Sequence, residues 1–219
     1  MINFFRKIKV NIDSISVPDL DWIEDKKDEH IKQWINQEQS ALLSVNFFDS
    51  KPDIPTVVDM TALRSYYRNQ IINVNGGLIQ VDSIELKGYT AIKTIFKVPQ
   101  EPSGMTYLAS LTIPFRNCSY VVKIQAAEVG TTGIRDTAIA DQFLSQDKMA
   151  VSEDGLDGWN KDPYDPEFKK GNRMNASEDE QYDEQFPDHP LSIARNGLKR
   201  IEKDIRFDKA FEQIRKFKK

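Results

Sequence analysis

The segment from Glu128 to Asp136 is the part of the sequence best suited to bind a ligand. Gly130 and Gly133 free the backbone, and a stretch with helical spacing begins at Ile134. Unpaired amides and the dipole at a helix N-terminus attract anions, so a carboxylate or a phosphate could dock here. The segment lacks the Lys-Ser/Thr pair of a P-loop and does not match a dinucleotide fingerprint.

Two interpretations of this loop remain open. In the first, Glu128 and Arg135 point into a cleft and contact a small ligand or a partner. In the second, they form an ion pair with each other that only holds the turn. The candidate binding residues are the polar side chains of the loop and two aromatic residues farther along the chain: Glu128, Thr131, Thr132, Arg135, Asp136, Trp159 and Tyr164.

The chain offers few residues for catalysis by a nucleophile or a metal. It has two histidines, His30 and His189, and one cysteine, Cys118. These are too few for the usual nitrogen and sulfur ligands of zinc, and no Gly-x-Ser-x-Gly hydrolase motif is present. His189 precedes Pro190, which is typical of a helix start, and Cys118 is expected in a turn. We therefore assign no catalytic residue, no metal ligand and no cofactor.

Two further groups of charged residues could bind ions. Arg64 and Arg68 lie one helical turn apart and could hold an anion or face solvent. Several aspartates invite a calcium hypothesis because Ca²⁺ binds oxygen ligands, but the glycine and closing glutamate of an EF-hand are missing. These aspartates are Asp154, Asp157, Asp162 and Asp165.

Composition restricts the class of protein. The 219 residues are 39% hydrophobic and 29% charged, which indicates a folded chain. The net charge of −4 opposes binding to nucleic acid. No stretch reaches the roughly 20 apolar residues that span a bilayer, and residues 1–9 lack the apolar core of a secretion signal. Together with the single cysteine, these features predict a cytoplasmic protein without a membrane span.

Charge is distributed in two blocks of opposite sign. The range from Glu153 to Asp188 contains twelve acidic and four basic residues, which gives it a net charge of −8. The range from Lys199 to Lys219 contains nine basic and four acidic residues, which gives it a net charge of +5. The blocks could pair within the molecule, or the basic end could meet an acidic partner.

Alternating apolar residues between positions 78 and 127 predict the main sheet. Consecutive strands joined by short loops form an antiparallel meander, since parallel neighbours need crossovers of a dozen residues or more. A change of phase predicts a bulge near Asp82 and Ser83. The expected fold class is α+β: an antiparallel sheet packed by helices in an α/β/α arrangement, with helices at the C-terminus.

Helices are expected on both sides of this sheet. The first, capped by Asp59 or Thr61, has an apolar stripe of Leu63, Tyr67, Ile71 and Val74. The second runs from Ile134 to Ser145 behind a threonine cap, the third starts at Asp188-His189-Pro190, and Asp208 caps the last one. Near the N-terminus, residues 9–15 alternate as an edge strand and residues 28–37 have helical spacing.

These elements predict three parts. Residues 1–148 form the sheet domain, and residues 189–219 form a helical extension. Between them, residues 149–188 are acidic and irregular, yet aromatic residues recur through them, so we expect this acidic segment to be anchored on the body. Its aromatic residues are Trp159, Tyr164, Phe168, Tyr182 and Phe186.

The order of elements from Leu63 to Asp136 resembles a known superfamily. A helix, a glycine break and consecutive strands lead to Tyr120-Val-Val-Lys-Ile-Gln-Ala-Ala-Glu128 and Thr132-Gly-Ile-Arg-Asp136. This arrangement is similar to the α/β/α sandwich of PsbP-like photosystem subunits, DcrB-like bacterial proteins and a Ran-binding nuclear import factor. The resemblance implies a bacterial-type protein that binds proteins or acts as a chaperone or adaptor, and it transfers no active site.

The sequence thus predicts a non-enzymatic interaction protein, such as an adaptor, a secretion-linked chaperone or an immunity-like partner, whose partner is another protein. The alternative is a small-ligand-binding protein or a hydrolase-type enzyme that uses the Glu128–Asp136 loop.

Overall fold

The computed structural model describes residues 10–152 and 155–218. The expectation that residues 1–9 contain no secretion signal and the hypothesis that Asp154 is a calcium ligand concern positions outside the described residues. The strands in the described part are β1 (Ile15–Ser16), β2 (Ile23–Lys27), β3 (Ile31–Ile35), β4 (Ala41–Phe48), β5 (Gly77–Leu86), β6 (Tyr89–Pro99), β7 (Met105–Pro114), β8 (Ser119–Ala127), β9 (Val151–Ser152), β10 (Gly155–Leu156) and β11 (Arg206–Phe207). The α-helices there are α1 (Met60–Ile72), α2 (Ile134–Ser145) and α3 (Pro190–Asp204).

Seven strands form one antiparallel sheet in the order β2-β3-β4-β8-β7-β6-β5. From β5 to β8, each strand pairs with the next one along the chain. The predicted meander between residues 78 and 127 is therefore confirmed. β4 pairs with β8, which adds β3 and β2 to the same sheet. The fold is α+β, as expected.

One face of the sheet is covered by α3. Because successive strand residues point to opposite faces, every second residue of β7 and β8 is directed at this helix. The apolar stripe of α3 is fully buried against them. The main residues of this core are Tyr107, Ala109, Leu111, Ile113, Tyr120, Val122, Ile124, Ala126, Leu191, Ala194, Leu198 and Ile201.

The other face is partly covered by α1. Asp59 caps this helix by accepting the Ala62 N–H at 3.0 Å, and Leu63 and Ile71 are buried against β5 and β6. Val74, expected in the same stripe, lies beyond the helix end and is 55% exposed. The layers are therefore helix, sheet and helix. None of the helices in the described residues is long and apolar enough to cross a membrane.

The first fifty residues differ most from expectation. Residues 28–37 contain β3 instead of a helix, because Ile31 and Ile35 also share one face of a strand while Trp34 packs on the other. Residues 10–15 hold a short 3₁₀ turn, Ile12–Ser14, and only the first residue of β1, where an edge strand was expected.

Smaller corrections concern bulges, caps and the last helix. The bulge in β5 falls between Leu78 and Gln80, earlier than predicted. Gly133 with φ of +75° is the N-cap of α2, so no threonine caps it. Asp208 caps a 3₁₀ helix at Lys209–Gln213, where an α-helix was expected. The division at residues 149 and 189 stays a prediction.

Candidate functional site

The Glu128 carboxylate holds the loop between β8 and α2. Its Oε1 accepts the Gly133 N–H at 2.8 Å, and its Oε2 accepts the Met105 N–H at 2.8 Å. The side chain is 8% exposed. Both oxygens are therefore engaged in fixing the start of β7 and the N-cap of α2.

Arg135 is completely buried and does not pair with Glu128. Its guanidinium donates to the carbonyl oxygens of Ser177 and Asp179, at 2.7 and 3.0 Å. It also donates to Asp183 Oδ1 at 3.0 Å and Ser192 Oγ at 2.9 Å. Arg195 reaches the same Asp183 oxygen from α3. Arg135 thus joins α2, the acidic segment and α3, which neither interpretation of the loop anticipated.

Asp136 extends this connection. It accepts from Asn175 Nδ2 at 3.0 Å and from the Ser177 hydroxyl. Asn175 is also the N-cap of a short 3₁₀ turn, Ala176–Glu178, where the side chains of Asn175 and Glu178 form a capping box. The first turn of α2 therefore positions the acidic segment through adjacent charged residues.

Glu178, in the same turn, is fully buried beside β6 and β7. Its Oε2 pairs with Lys97 Nζ at 2.8 Å, and its Oε1 accepts the Tyr107 hydroxyl at 2.9 Å. Burial and the negative charge of Glu178 raise the pKa of the Tyr107 hydroxyl well above its usual value. The acidic segment is thus fixed to the sheet by buried charges.

Trp159 and Tyr164 lie away from the loop. The Trp159 ring is perpendicular to Phe143 of α2, with centroids 6.3 Å apart. The Tyr164 hydroxyl accepts the Val81 N–H of the sheet edge at 2.8 Å, and Arg64 lies 3.7 Å from the centre of its ring. An edge strand leaves such N–H groups unpaired, so Tyr164 protects β5.

Arg64 and Arg68 hold the acidic segment rather than an anion from solution. Arg68 makes two hydrogen bonds to buried Asp162, at 2.8 and 2.7 Å. Asp162, one of the proposed calcium ligands, is therefore already paired with Arg68. Within the described residues, no group of three or more His, Cys, Asp or Glu side chains is arranged to hold a metal ion.

The loop lines one side of a cleft of about 460 Å³, here named the α2 cleft. Glu128, Thr131 and Arg135 are among its lining residues, whereas Thr132 bonds to Ser103 beside it. Val129 and Ile134, at its rim, are 71% and 57% exposed. The remaining lining residues come from β8, from the β3–β4 turn, from the end of the acidic segment and from the start of α3: Glu38, Ser40, Ala127, Gln185, Phe186, Pro187, Asp188, His189, Pro190 and Ile193.

His189 lies in the wall of the α2 cleft and is 9% exposed. As predicted, it caps a helix, since its Nδ1 accepts the Leu191 N–H at 3.2 Å. Its Nε2 is 3.8 Å from Glu128 Oε1, and its ring is edge-on to Tyr107. Burial, together with the positive charge of Arg135, lowers the pKa of His189 to about 4. The ring is therefore neutral at pH 7, with its proton on Nε2.

The sequence identified one wall of this cleft and missed the other. Phe186 lies near the end of the long acidic segment and His189 directly follows it, so their positions depend on contacts that no local pattern shows. The sequence does place the aliphatic residues Val129 and Ile134 next to the loop glycines, but only the structure shows that both are exposed.

Together, the fold and the cleft define an α+β protein with a helix-sheet-helix layering and a recessed, partly apolar site at one end of the sheet. No family model matches the chain, and no curated protein does either.

Several solved structures are similar. The yeast Ran-binding protein Mog1p is 7% identical, covering 89% of this chain and 90% of its own, with a TM-score of 0.45. Cyanobacterial PsbP from Synechocystis sp. PCC 6803 is 13% identical over 62% of this chain and 85% of its own, with a TM-score of 0.35. A Pseudomonas aeruginosa protein of unknown function is 15% identical over 56% and 82%, with a TM-score of 0.34. The weak resemblance to PsbP-like and Ran-binding proteins that the sequence indicated is found again here.

Proposed function

We propose that this protein binds another protein and that the partner docks in the α2 cleft. The observation that carries the proposal is the pair Val129 and Ile134, which expose most of their aliphatic surface at the rim of the cleft. Exposed apolar side chains beside a recess are typical of interaction sites. An adaptor, a secretion-linked chaperone and an immunity-like partner all act by such recognition, and we place the protein in this group.

The polar groups of the cleft support recognition rather than hydrolysis. A serine or threonine nucleophile needs a base that can take its proton. Here one nitrogen of His189 accepts the Leu191 N–H and the other faces Glu128, while Glu128 itself accepts two backbone amides. Ser40 and Thr131 line the cleft without a hydrogen bond to this histidine. These groups are engaged in holding the walls of the cleft.

Charge at the rim defines the chemistry of the partner. Glu38 and Asp188 are exposed there, and Arg135 below them is neutralised by its own contacts. The partner segment should therefore insert an apolar side chain and place a lysine or an arginine next to it. We also propose that this occurs in the cytoplasm, which agrees with a buried, unpaired Cys118.

Site-specific photocrosslinking tests the proposal. A photoreactive amino acid at Ile134 should give a discrete protein adduct in cells, and the same residue at Val58, which is 78% exposed outside the cleft, should not. Val129→Asp should weaken binding of the crosslinked partner by about tenfold or more. The control Val58→Asp should leave it unchanged. Equal adducts at both positions, or equal loss in both variants, would contradict the proposal.

A small ligand is the second candidate occupant. A volume of about 460 Å³ lies within the range of ligand pockets, roughly 300 to 1,000 Å³. Native mass spectrometry of the purified protein separates the two candidates. If the native protein carries a small molecule that Val129→Asp loses, and if no protein adduct forms at position 134, the cleft binds a small ligand and not a protein.

A further inference from the structure

A second recess lies at the opposite end of β7 and β8 from the α2 cleft. It is a groove of about 790 Å³, here named the tail groove. β7 has ten residues, so the two recesses are about 30 Å apart along the strand direction. The tail groove is lined by the β7–β8 turn, the loop after β4 and the end of the described chain: Lys51, Arg116, Arg215, Lys216, Phe217 and Lys218.

The tail groove carries five cations and no carboxylate among its lining residues. All five are exposed, and within residues 10–152 and 155–218 none of them is in an ion pair. Lys216 Nζ donates to the Gly88 carbonyl oxygen. The acidic segment does not neutralise the groove, because its ion pairs in the described structure go elsewhere: to Arg68, Lys97, Arg135, Arg195 and Lys199.

The tail, residues 215–218, pairs through its backbone with the β7–β8 turn. The Arg116 N–H donates to the Arg215 carbonyl at 3.0 Å, and Phe115 and Lys216 form an isolated antiparallel bridge. Among the described residues, the backbone N–H groups of Phe217 and Lys218 have no backbone partner. An extended peptide can add to such an edge as a further strand, while pockets and charges beside the edge select its side chains.

We infer that the tail groove binds an extended acidic segment of a protein partner. Carboxylates of that segment would pair with Arg116, Lys218 and their neighbours, and its backbone would pair with the open edge of the tail. A single-stranded nucleic acid fits less well, because it needs exposed aromatic rings for stacking and Phe217 packs against the α1 side of the core. The inference does not depend on the α2 cleft.

Fluorescence anisotropy with a labelled peptide tests this inference on the full chain. The probe is a Glu- and Asp-rich peptide, and its control is the same peptide with Gln and Asn in place of the acids. We expect saturable binding of the acidic peptide, weaker at higher salt, and no binding of the amide peptide. Arg116→Glu and Lys218→Glu should each lower the affinity by about tenfold or more.

The matched control is Lys161→Glu, since Lys161 is exposed, lies outside the groove and has no side-chain bond in the described structure. It should bind the acidic peptide like the native protein. Binding of the amide peptide, equal weakening by Lys161→Glu, or tighter binding of a single-stranded oligonucleotide than of the acidic peptide would each overturn the inference. Thermal melting of all three variants shows whether a loss of binding reflects unfolding.

Discussion

Lys97 and Glu178 form an ion pair of 2.8 Å inside the protein, although 81 positions separate them in the chain. Their side chains are 2% and 0% exposed. Water does not screen such a pair, so each charge depends on the other. This pair connects β6, the strand next to the sheet edge, to the acidic segment.

Removal of one partner should strongly destabilise the protein. We expect Lys97→Met to lower the free energy of unfolding by about 3 to 5 kcal/mol, because Glu178 would stay buried without its cation. Lys97→Met combined with Glu178→Gln should recover a large part of that loss. The exposed pair Lys199 and Glu180 is the control, and Lys199→Met should change stability by less than about 1 kcal/mol. Urea unfolding measures all of these values, and equal losses in Lys97→Met and Lys199→Met would refute the expectation.

Arg135 should resist even a conservative exchange. Arg135→Lys keeps the charge but cannot reach four acceptors at once, so we expect a loss of about 2 to 4 kcal/mol. Limited proteolysis should then cut the acidic segment faster. Arg173→Lys, which changes a half-buried arginine with one solvent-exposed hydrogen bond, is the control and should have little effect. An Arg135→Lys protein with unchanged stability and unchanged proteolysis would show that these hydrogen bonds contribute little to the free energy of unfolding.

His189 should make stability depend on pH. Its pKa is about 4 in the folded protein and about 6.5 without the fold, so between these values the unfolded chain binds more protons. Stability therefore falls as the pH drops from 6.5 to 4, with a slope of at most about 1.4 kcal/mol per pH unit from this residue. His189→Gln should flatten the curve in that window. His30→Gln, at an exposed position, should leave the slope as it is, and an unchanged slope in His189→Gln would disprove the assignment.

Gly77 should be required for docking of the acidic segment. A Cβ atom at this position would overlap the Asn172 carbonyl oxygen, which packs on the strand there. We expect Gly77→Ala to displace the segment and to increase its cleavage in limited proteolysis. Gly88→Ala, where the Cβ meets nothing within 4 Å, should cost about 1 to 2 kcal/mol of backbone strain without increasing that cleavage. Identical cleavage in both variants would argue against a role for the contact.

The parts of the fold that were predictable are those fixed by neighbours in sequence. β7 and β8 follow from a period of two and a short turn, and α1 follows from the Asp59 cap and an apolar stripe. β3 was mistaken for a helix because Ile31 and Ile35 suit both structures. The choice between them is made by pairing with β2 and β4, which the spacing does not reveal.

The candidate site was likewise predictable only where its contacts are local in the sequence. The sequence singled out Glu128 and Arg135, yet it gave no sign that Arg135 is bound by groups 42 to 57 positions away. Charge patterning left two alternatives for the basic end of the chain, and the structure contains cations of both kinds. Lys199 and Arg200 form ion pairs within the protein, whereas the cations that line the tail groove form none in the described structure.

The long separation of Lys97 from Glu178 has a consequence for synthesis on the ribosome. When the strands of the meander have emerged from the ribosome, Lys97 has no counter-ion. Glu178 becomes accessible only after the chain has grown well past position 178 and this residue has left the exit tunnel. Until then the nascent sheet must keep the Lys97 ammonium group in water, so the face that carries this residue cannot be fully covered. We therefore expect the protein to reach its native state only near release, and chains that stop before position 178 to stay open and to be handled by chaperones or proteases.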